Sequence, residues 1–161
     1  MSTTAVLQIT APADDPVIVT SRIVKAPPEL VFSAWTEPEH LRNWWGPRRL
    51  ELVVCELDLT VGGTYRFVHR DADGHEFGFH GEYREIERPS RLVATFVYEG
   101  MPDAEAVETT TFESVEGGTM VRSTARHPSI AARDEHLANG MESGMTESFE
   151  RLDEMLELLT G

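Results

Sequence analysis

The hydrophobic residues of this chain follow two different periods, and the change between the periods is the feature that most constrains the fold. From residue 51 onward, apolar and polar side chains alternate in short runs, which is typical of half-buried β-strands. The predicted strands cover residues 51–58, 64–70, 76–86, 91–98, 107–115 and 119–127. An earlier run, residues 17–24, is rich in β-branched residues and predicts one more strand. We therefore expect a curved antiparallel sheet with one apolar face.

The last segment changes to the helical period. Its apolar residues recur at steps of three and four and form one stripe, namely Leu137, Met141, Met145, Phe149, Leu152, Leu156 and Leu159. This spacing predicts one long helix from about Ser129 or Asp134 to Leu159. Two short helices are predicted between the first two strands, one after Pro27 and one over residues 39–43. The apolar stripe and the apolar sheet face must bury each other, which makes the fold class α+β.

The length, composition and charge limit the organisation and the partners. A chain of 161 residues predicts a single domain over residues 17–161, preceded by an arm over residues 1–16 that offers a short edge strand. The net charge of -14 disfavours nucleic acids and anionic membranes as partners. Cys55 is the one cysteine and is expected to be a small buried hydrophobe. Without a secretory signal or a long apolar run, the expected localisation is the cytoplasm.

Strand alternation predicts an inner face that mixes large aromatic residues with small ones. Gly140 and Gly144 lie one turn apart in the predicted long helix, where each costs about 1 kcal/mol relative to alanine. Either close helix–sheet contact or an internal cavity explains them. Of the pair Trp44 and Trp45, one is expected in the core and the other near the mouth of a cavity. The predicted ligand-binding residues are Trp45, Tyr65, Phe67, His69, Phe79, Gly81, Tyr83, Phe96, Ser123, His127, Met141, Gly144 and Met145.

Other chemistries have weaker signals. His69, His75 and His80 do not supply the three or four converging ligands of a metal site, because alternation separates them. The segment 71–74 (DADG) is predicted to be a turn rather than a calcium loop. The acidic groups Glu82 with Arg84 and Glu85, and Glu105 with Glu108, are assigned to outward faces or loops. We therefore predict no metal, no cofactor and no catalytic residue, although general acid–base chemistry by cavity residues remains an alternative.

Several short motifs together resemble a known family over residues 17–159. They include residues 26–39 (APPELVFSAWTEPE), 44–47 (WWGP), 62–67 (GGTYRF) and 89–93 (PSRLV). In this respect the sequence is similar to the activator of heat-shock protein 90 ATPase homologue-like family, of the START-like (SRPBCC, birch-pollen-allergen-like) superfamily. The resemblance implies a helix-grip fold, in which a curved antiparallel sheet, two short helices and a long C-terminal helix enclose a hydrophobic cavity.

The resemblance also implies three candidate functions for a protein of bacterial type. The first is non-catalytic binding of a small hydrophobic or amphipathic ligand, as in superfamily members that bind lipids, hormones or polyketides. The second is an enzyme of cyclase, dehydratase or hydrolase type that uses polar cavity residues. The third is a co-chaperone-like or stress-related module whose acidic segments, 99–116 and 134–157, meet a basic protein partner. The 16-residue arm leaves no room for the extra domain of the eukaryotic co-chaperone, so we expect the first function. Self-association through the sheet edges is a further expectation.

Overall fold

The computed structural model describes residues 6–160, and in that part of the chain it contains eight strands and four helices. The strands are β1 Gln8–Thr10, β2 Val17–Val24, β3 Glu51–Leu57, β4 Thr64–Arg70, β5 Glu76–Glu87, β6 Arg91–Tyr98, β7 Ala106–Val115 and β8 Gly118–Arg126. The helices are α1 Pro28–Thr36, α2 Pro38–Trp44, α3 Ile130–Ala138 and α4 Met141–Thr160. The predicted α+β class is confirmed, as is the predicted order of elements up to β8, and β1 is the short edge strand that the arm offers.

All strands belong to one antiparallel sheet of order β1-β2-β8-β7-β6-β5-β4-β3. Strands β3 to β8 form consecutive hairpins, and β2 returns to pair with β8. The register shifts between Leu52 and Val54 in β3 and between Tyr83 and Glu85 in β5. Such bulges bend a strand and increase its twist, and they help the sheet curl around its concave face.

The short helices α1 and α2 close one end of this face. A proline stands in the first turn of each helix, where no backbone N–H partner is needed. The Trp44 indole Nε1 donates a hydrogen bond to the Ala34 carbonyl oxygen at 2.9 Å and ties the two helices together. Trp44 is 3% exposed and lies in the core, whereas Trp45 is half-buried.

The core lies between the sheet, α1, α2 and the C-terminal half of α4. Helix α4 contributes Phe149, Leu152 and Leu156 to it, as the apolar stripe predicts. The last residue of the predicted stripe, Leu159, is 52% exposed, because α4 continues past the end of the core. The N-terminal half of α4 contributes little to the core and lies over the concave face of the sheet instead.

The predicted long C-terminal helix is confirmed as α4, but its predicted start at Ser129 or Asp134 is wrong. The segment forms two helices, α3 and α4, separated by Asn139 and Gly140. Gly140 has φ +82°, a left-handed conformation that glycine adopts without steric cost and that ends helices. The apolar spacing continues from Leu137 to Met141 through the break, so the stripe alone could not show it.

Candidate functional site

A cavity of about 760 Å³ lies between the concave face of the sheet and a roof formed by α3, the start of α4 and the segment after α2. Its size falls within the range of about 300–1,000 Å³ that is usual for small-molecule sites. Strands β4 to β8 supply most of the wall, and on β4, β5, β6 and β8 the inward residues are largely those that alternation predicts. The concave face is therefore only partly filled by side chains of the chain itself.

The structure brings nearly all the predicted ligand-binding residues to this cavity. Those that line it are Trp45, Tyr65, Phe67, His69, Phe79, Tyr83, Phe96, Ser123, His127, Met141, Gly144 and Met145. Gly81 is the exception, because it lies behind the Tyr65 ring. A Cβ atom at Gly81 would stand 1.9 Å from the Thr95 carbonyl oxygen and 2.6 Å from the Tyr65 ring. Gly81 therefore makes room for a wall residue, and ligand contact by the other residues stays a prediction.

Aromatic side chains form one continuous wall around Trp45. The Trp45 ring lies 5.0 Å from Phe67 and 5.4 Å from Phe79, both edge-on, as measured between ring centroids. Phe79 continues the wall to Phe96 at 5.5 Å and to Tyr98 at 5.2 Å. Such a wall offers an apolar ligand large contact areas at well-defined positions.

His69 is held on this wall by Trp45. The two rings stack with centroids 4.9 Å apart and planes 23° apart, and a ring nitrogen of His69 lies 2.9 Å from the Trp45 carbonyl oxygen. Burial lowers the pKa of His69, so its neutral form is favoured. A Cβ atom at Gly46 would stand 2.3 Å from this ring, which explains the glycine after Trp45. His69 is thus fixed mainly by structural contacts.

Two further polar wall residues are also engaged within the protein. The Tyr65 hydroxyl donates a hydrogen bond to the Thr95 carbonyl oxygen at 2.7 Å, and burial raises the pKa of Tyr65. The Ser123 hydroxyl shares a hydrogen bond of 3.0 Å with the Thr110 hydroxyl across β7 and β8. Neither group is an activated acid or base in this arrangement.

A pair of histidines lies at the α3 end of the cavity. The rings of His127 and His136 have centroids 5.3 Å apart. Burial is the main cause that lowers the pKa of His127 to about 4, and the nearby His136 and Arg133 lower it further. Burial also lowers the pKa of His136. Both imidazoles are therefore neutral near pH 7. The sequence reasoning missed His136, because α3 has little apolar periodicity.

The assignment of Glu108 to an outward face or a loop is wrong. Glu108 lies in the middle of β7, where it pairs with Ala94 of β6 and Ala125 of β8, and it lines the cavity. Burial is the sole cause that raises the pKa of its carboxyl group. Strand alternation could have identified Glu108 as an inward residue. Residues an even number of positions apart on a strand share a face, and Phe112, four residues along β7, lies in the core.

The roof offers space where the glycines of the C-terminal segment occur. Met141 and Met145 are half-buried and border the cavity. A Cβ atom at Gly144 would meet no atom within 4 Å. Close helix–sheet contact is therefore excluded as the reason for Gly144, which faces open cavity space.

The remaining candidates for metal or nucleophile chemistry lie outside the cavity. His80 lies on the outer face, with a ring nitrogen 3.0 Å from the Glu99 carboxylate, and His75 lies in the turn beside Asp71. Within residues 6–160, two groups could hold an ion by proximity, Glu37–Glu39–His40 and Asp71–Asp73–His75, and both are at the surface. Cys55 is 5% exposed, and burial is the main cause that raises the pKa of its thiol, as expected for a packing residue.

None of the helices found between residues 6 and 160 combines the length and apolar character needed to cross a bilayer.

Comparisons with known proteins agree with this architecture. The family model described as activator of Hsp90 ATPase homolog 1-like protein matches residues 25–157. Among solved structures, a protein from Rhodobacter sphaeroides is similar with a TM-score of 0.88 and 29% identity, over 94% of this chain and 99% of that one. A protein from Nitrosomonas europaea has a TM-score of 0.82 and 24% identity, over 91% of this chain and 97% of its own.

The AHSA1-like protein from Aeromonas hydrophila has a TM-score of 0.71 and 23% identity, over 86% of this chain and 93% of that one. The similarities to the Nitrosomonas europaea and Aeromonas hydrophila proteins are below 25% identity and bear on the fold alone. No protein in a search of curated sequences matches the chain.

Proposed function

Since this chain belongs to the activator of Hsp90 ATPase homolog 1-like family, and its sheet and helices enclose a mainly apolar cavity, we propose that it binds a small hydrophobic or amphipathic ligand there without transforming it. The observation that carries the proposal is the cavity of about 760 Å³, which the protein's own side chains leave unfilled. Its walls are aromatic and aliphatic with a few polar groups, the usual make-up of a small-molecule site.

The state of the polar wall residues supports binding rather than catalysis. Tyr65 and His69 are each hydrogen-bonded to a backbone carbonyl oxygen. A catalytic pair needs two groups within hydrogen-bond reach of one reacting atom. These two are instead fixed in the wall, where they orient aromatic surface toward the cavity.

The proposal is tested by titration with diphenylhexatriene, a neutral hydrocarbon whose fluorescence rises in apolar surroundings. We expect saturable binding with one probe per chain and quenching of tryptophan emission, because Trp35, Trp44 and Trp45 border the cavity. Gly144→Phe places a large side chain in the open space under α4 and should weaken binding at least tenfold.

The matched control is Thr146→Phe, which adds the same side chain to an exposed position of the same helix. This variant should bind like the unmodified chain. The proposal fails if the unmodified protein does not bind the probe, or if both phenylalanine variants bind it equally well.

A further inference from the structure

Glu108 is a carboxyl group on the floor of a mainly apolar cavity. It is flanked across the sheet by Ala94 on β6 and Ala125 on β8. Alanine side chains are too short to cover it or to pair with it. Among the contacts of residues 6–160, its carboxyl oxygens have no hydrogen-bond or ion-pair partner, and burial is the only cause acting on its pKa.

The surroundings do not supply a positive charge to this carboxyl group. His127, which follows the last residue of β8, has a pKa of about 4 and is neutral near pH 7. Burial also lowers the pKa of His136, which favours its neutral form. Among the described residues that line the cavity, Arg49 is the one arginine or lysine, and it is exposed.

Glu108 is half-buried, and a carboxyl group withdrawn from bulk water costs free energy unless it finds a partner, here one from outside the protein. Resting on the proposed function of the cavity, we infer that the ligand is an apolar molecule that carries a cationic nitrogen group, such as a primary ammonium, which donates hydrogen bonds to Glu108. The chain's net charge of -14 also attracts cations and repels anions.

An anionic amphiphile fits this site less well. Its tail would cover Glu108 and leave the carboxyl group without a partner, while its head would remain beside Arg49 at the surface. A neutral alcohol supplies one hydrogen-bond donor but no charge. Charge-assisted hydrogen bonds are worth about 1.5–3 kcal/mol, which corresponds to about tenfold or more in affinity.

The inference is tested by displacement of diphenylhexatriene with octylamine, octanol and octanoate, which share one chain length. Octylamine should bind at least tenfold more tightly than the other two. Glu108→Gln keeps the shape of the side chain and removes its charge. This variant should lose the preference for octylamine and keep its affinity for octanol.

Glu113→Gln is the matched control, because it removes the same charge from an exposed position of the same strand. It should retain the preference. Equal or tighter binding of octanol or octanoate by the unmodified protein overturns the inference, as does an unchanged preference in Glu108→Gln. In either case diphenylhexatriene binding would still stand, whereas failure of the hydrocarbon itself to bind contradicts the proposed function.

Discussion

Gly140 and Gly144 are four residues apart, and the same substitution is expected to have opposite effects at the two positions. Gly144 has an ordinary helical conformation inside α4, and a Cβ atom there would meet nothing within 4 Å. Gly144→Ala should therefore stabilise the protein by about 0.5–1 kcal/mol, the usual gain from replacing a helical glycine.

Gly140 has φ +82°, and its Cβ atom would meet only the Ser143 hydroxyl oxygen at 3.9 Å. Crowding is therefore absent there too, and the backbone conformation decides the result. A left-handed conformation costs an alanine about 1–2 kcal/mol, so Gly140→Ala should destabilise by that amount. The two variants should differ by about 1.5–3 kcal/mol in the free energy of unfolding.

The assay is urea unfolding followed by circular dichroism, with thermal melts as a second measurement. A difference of 1 kcal/mol shifts the melting temperature by about 2–4 °C in a protein of this length. Gly144→Ala should melt above the unmodified chain and Gly140→Ala below it. Stabilisation by both substitutions would mean that α3 and α4 form one continuous helix. Destabilisation by Gly144→Ala would mean that this glycine touches the sheet, which would refute the cavity under the roof.

Three further predictions concern the charged and titratable groups around the cavity. Lowering the pH from about 6.5 to 4 should reduce the free energy of unfolding by up to about 3 kcal/mol. The reason is that the unfolded chain takes up a proton on His127, whereas the buried His127 of the folded chain, with its pKa of about 4, resists protonation. In urea unfolding at several pH values, the free energy of unfolding of His127→Gln should change less with pH. Asp153→Asn should lower the free energy of unfolding, measured in urea, by about 2–3 kcal/mol. Arg22 is 6% exposed and donates hydrogen bonds to both Asp153 carboxylate oxygens, at 3.0 and 2.6 Å. Because Asp153 is 38% exposed, the expected loss is smaller than that from a fully buried ion pair. Arg133→Met removes hydrogen bonds to the carbonyl oxygens of Pro12, Asp15 and Val17. The substitution should accelerate amide hydrogen exchange in α3 and leave exchange in β4 and β5 nearly unchanged.

The sheet was predictable because each strand has a local signal and each turn a recognisable composition. Residues 64–70 and 91–98 alternate clearly, and β4 and β6 have those same bounds. Once the alternating residues are assigned to the concave face, most of the cavity wall follows. Long periodic runs with tight turns leave few alternative topologies for a chain of this length.

The break between α3 and α4 was not predictable from hydrophobic spacing. Leu137 and Met141 are four residues apart, and that step fits one continuous helix as well as two successive helices that both belong to the roof of the cavity. A backbone torsion at Gly140 distinguishes them, and glycine permits that torsion without requiring it. His136 was hidden for a related reason, since its burial depends on where α3 lies against the sheet.

Glu108 was hidden for a different reason, because two rules of sequence reading disagree at that position. Parity along β7 places it on the same face as Thr110 and Phe112, whereas its charge assigns it to solvent. In the structure the alternation along the strand decides the position of Glu108. A strand paired in register with both neighbours cannot turn one residue to the other face without a bulge, and β7 has no bulge in its pairing with β6 or β8. A charged residue that parity places inside a sheet is costly to the fold. Arg22 on β2 meets this cost with Asp153 of the same chain, whereas Glu108 has no such partner among the described residues, so at Glu108 the conflict points to a partner from outside the chain.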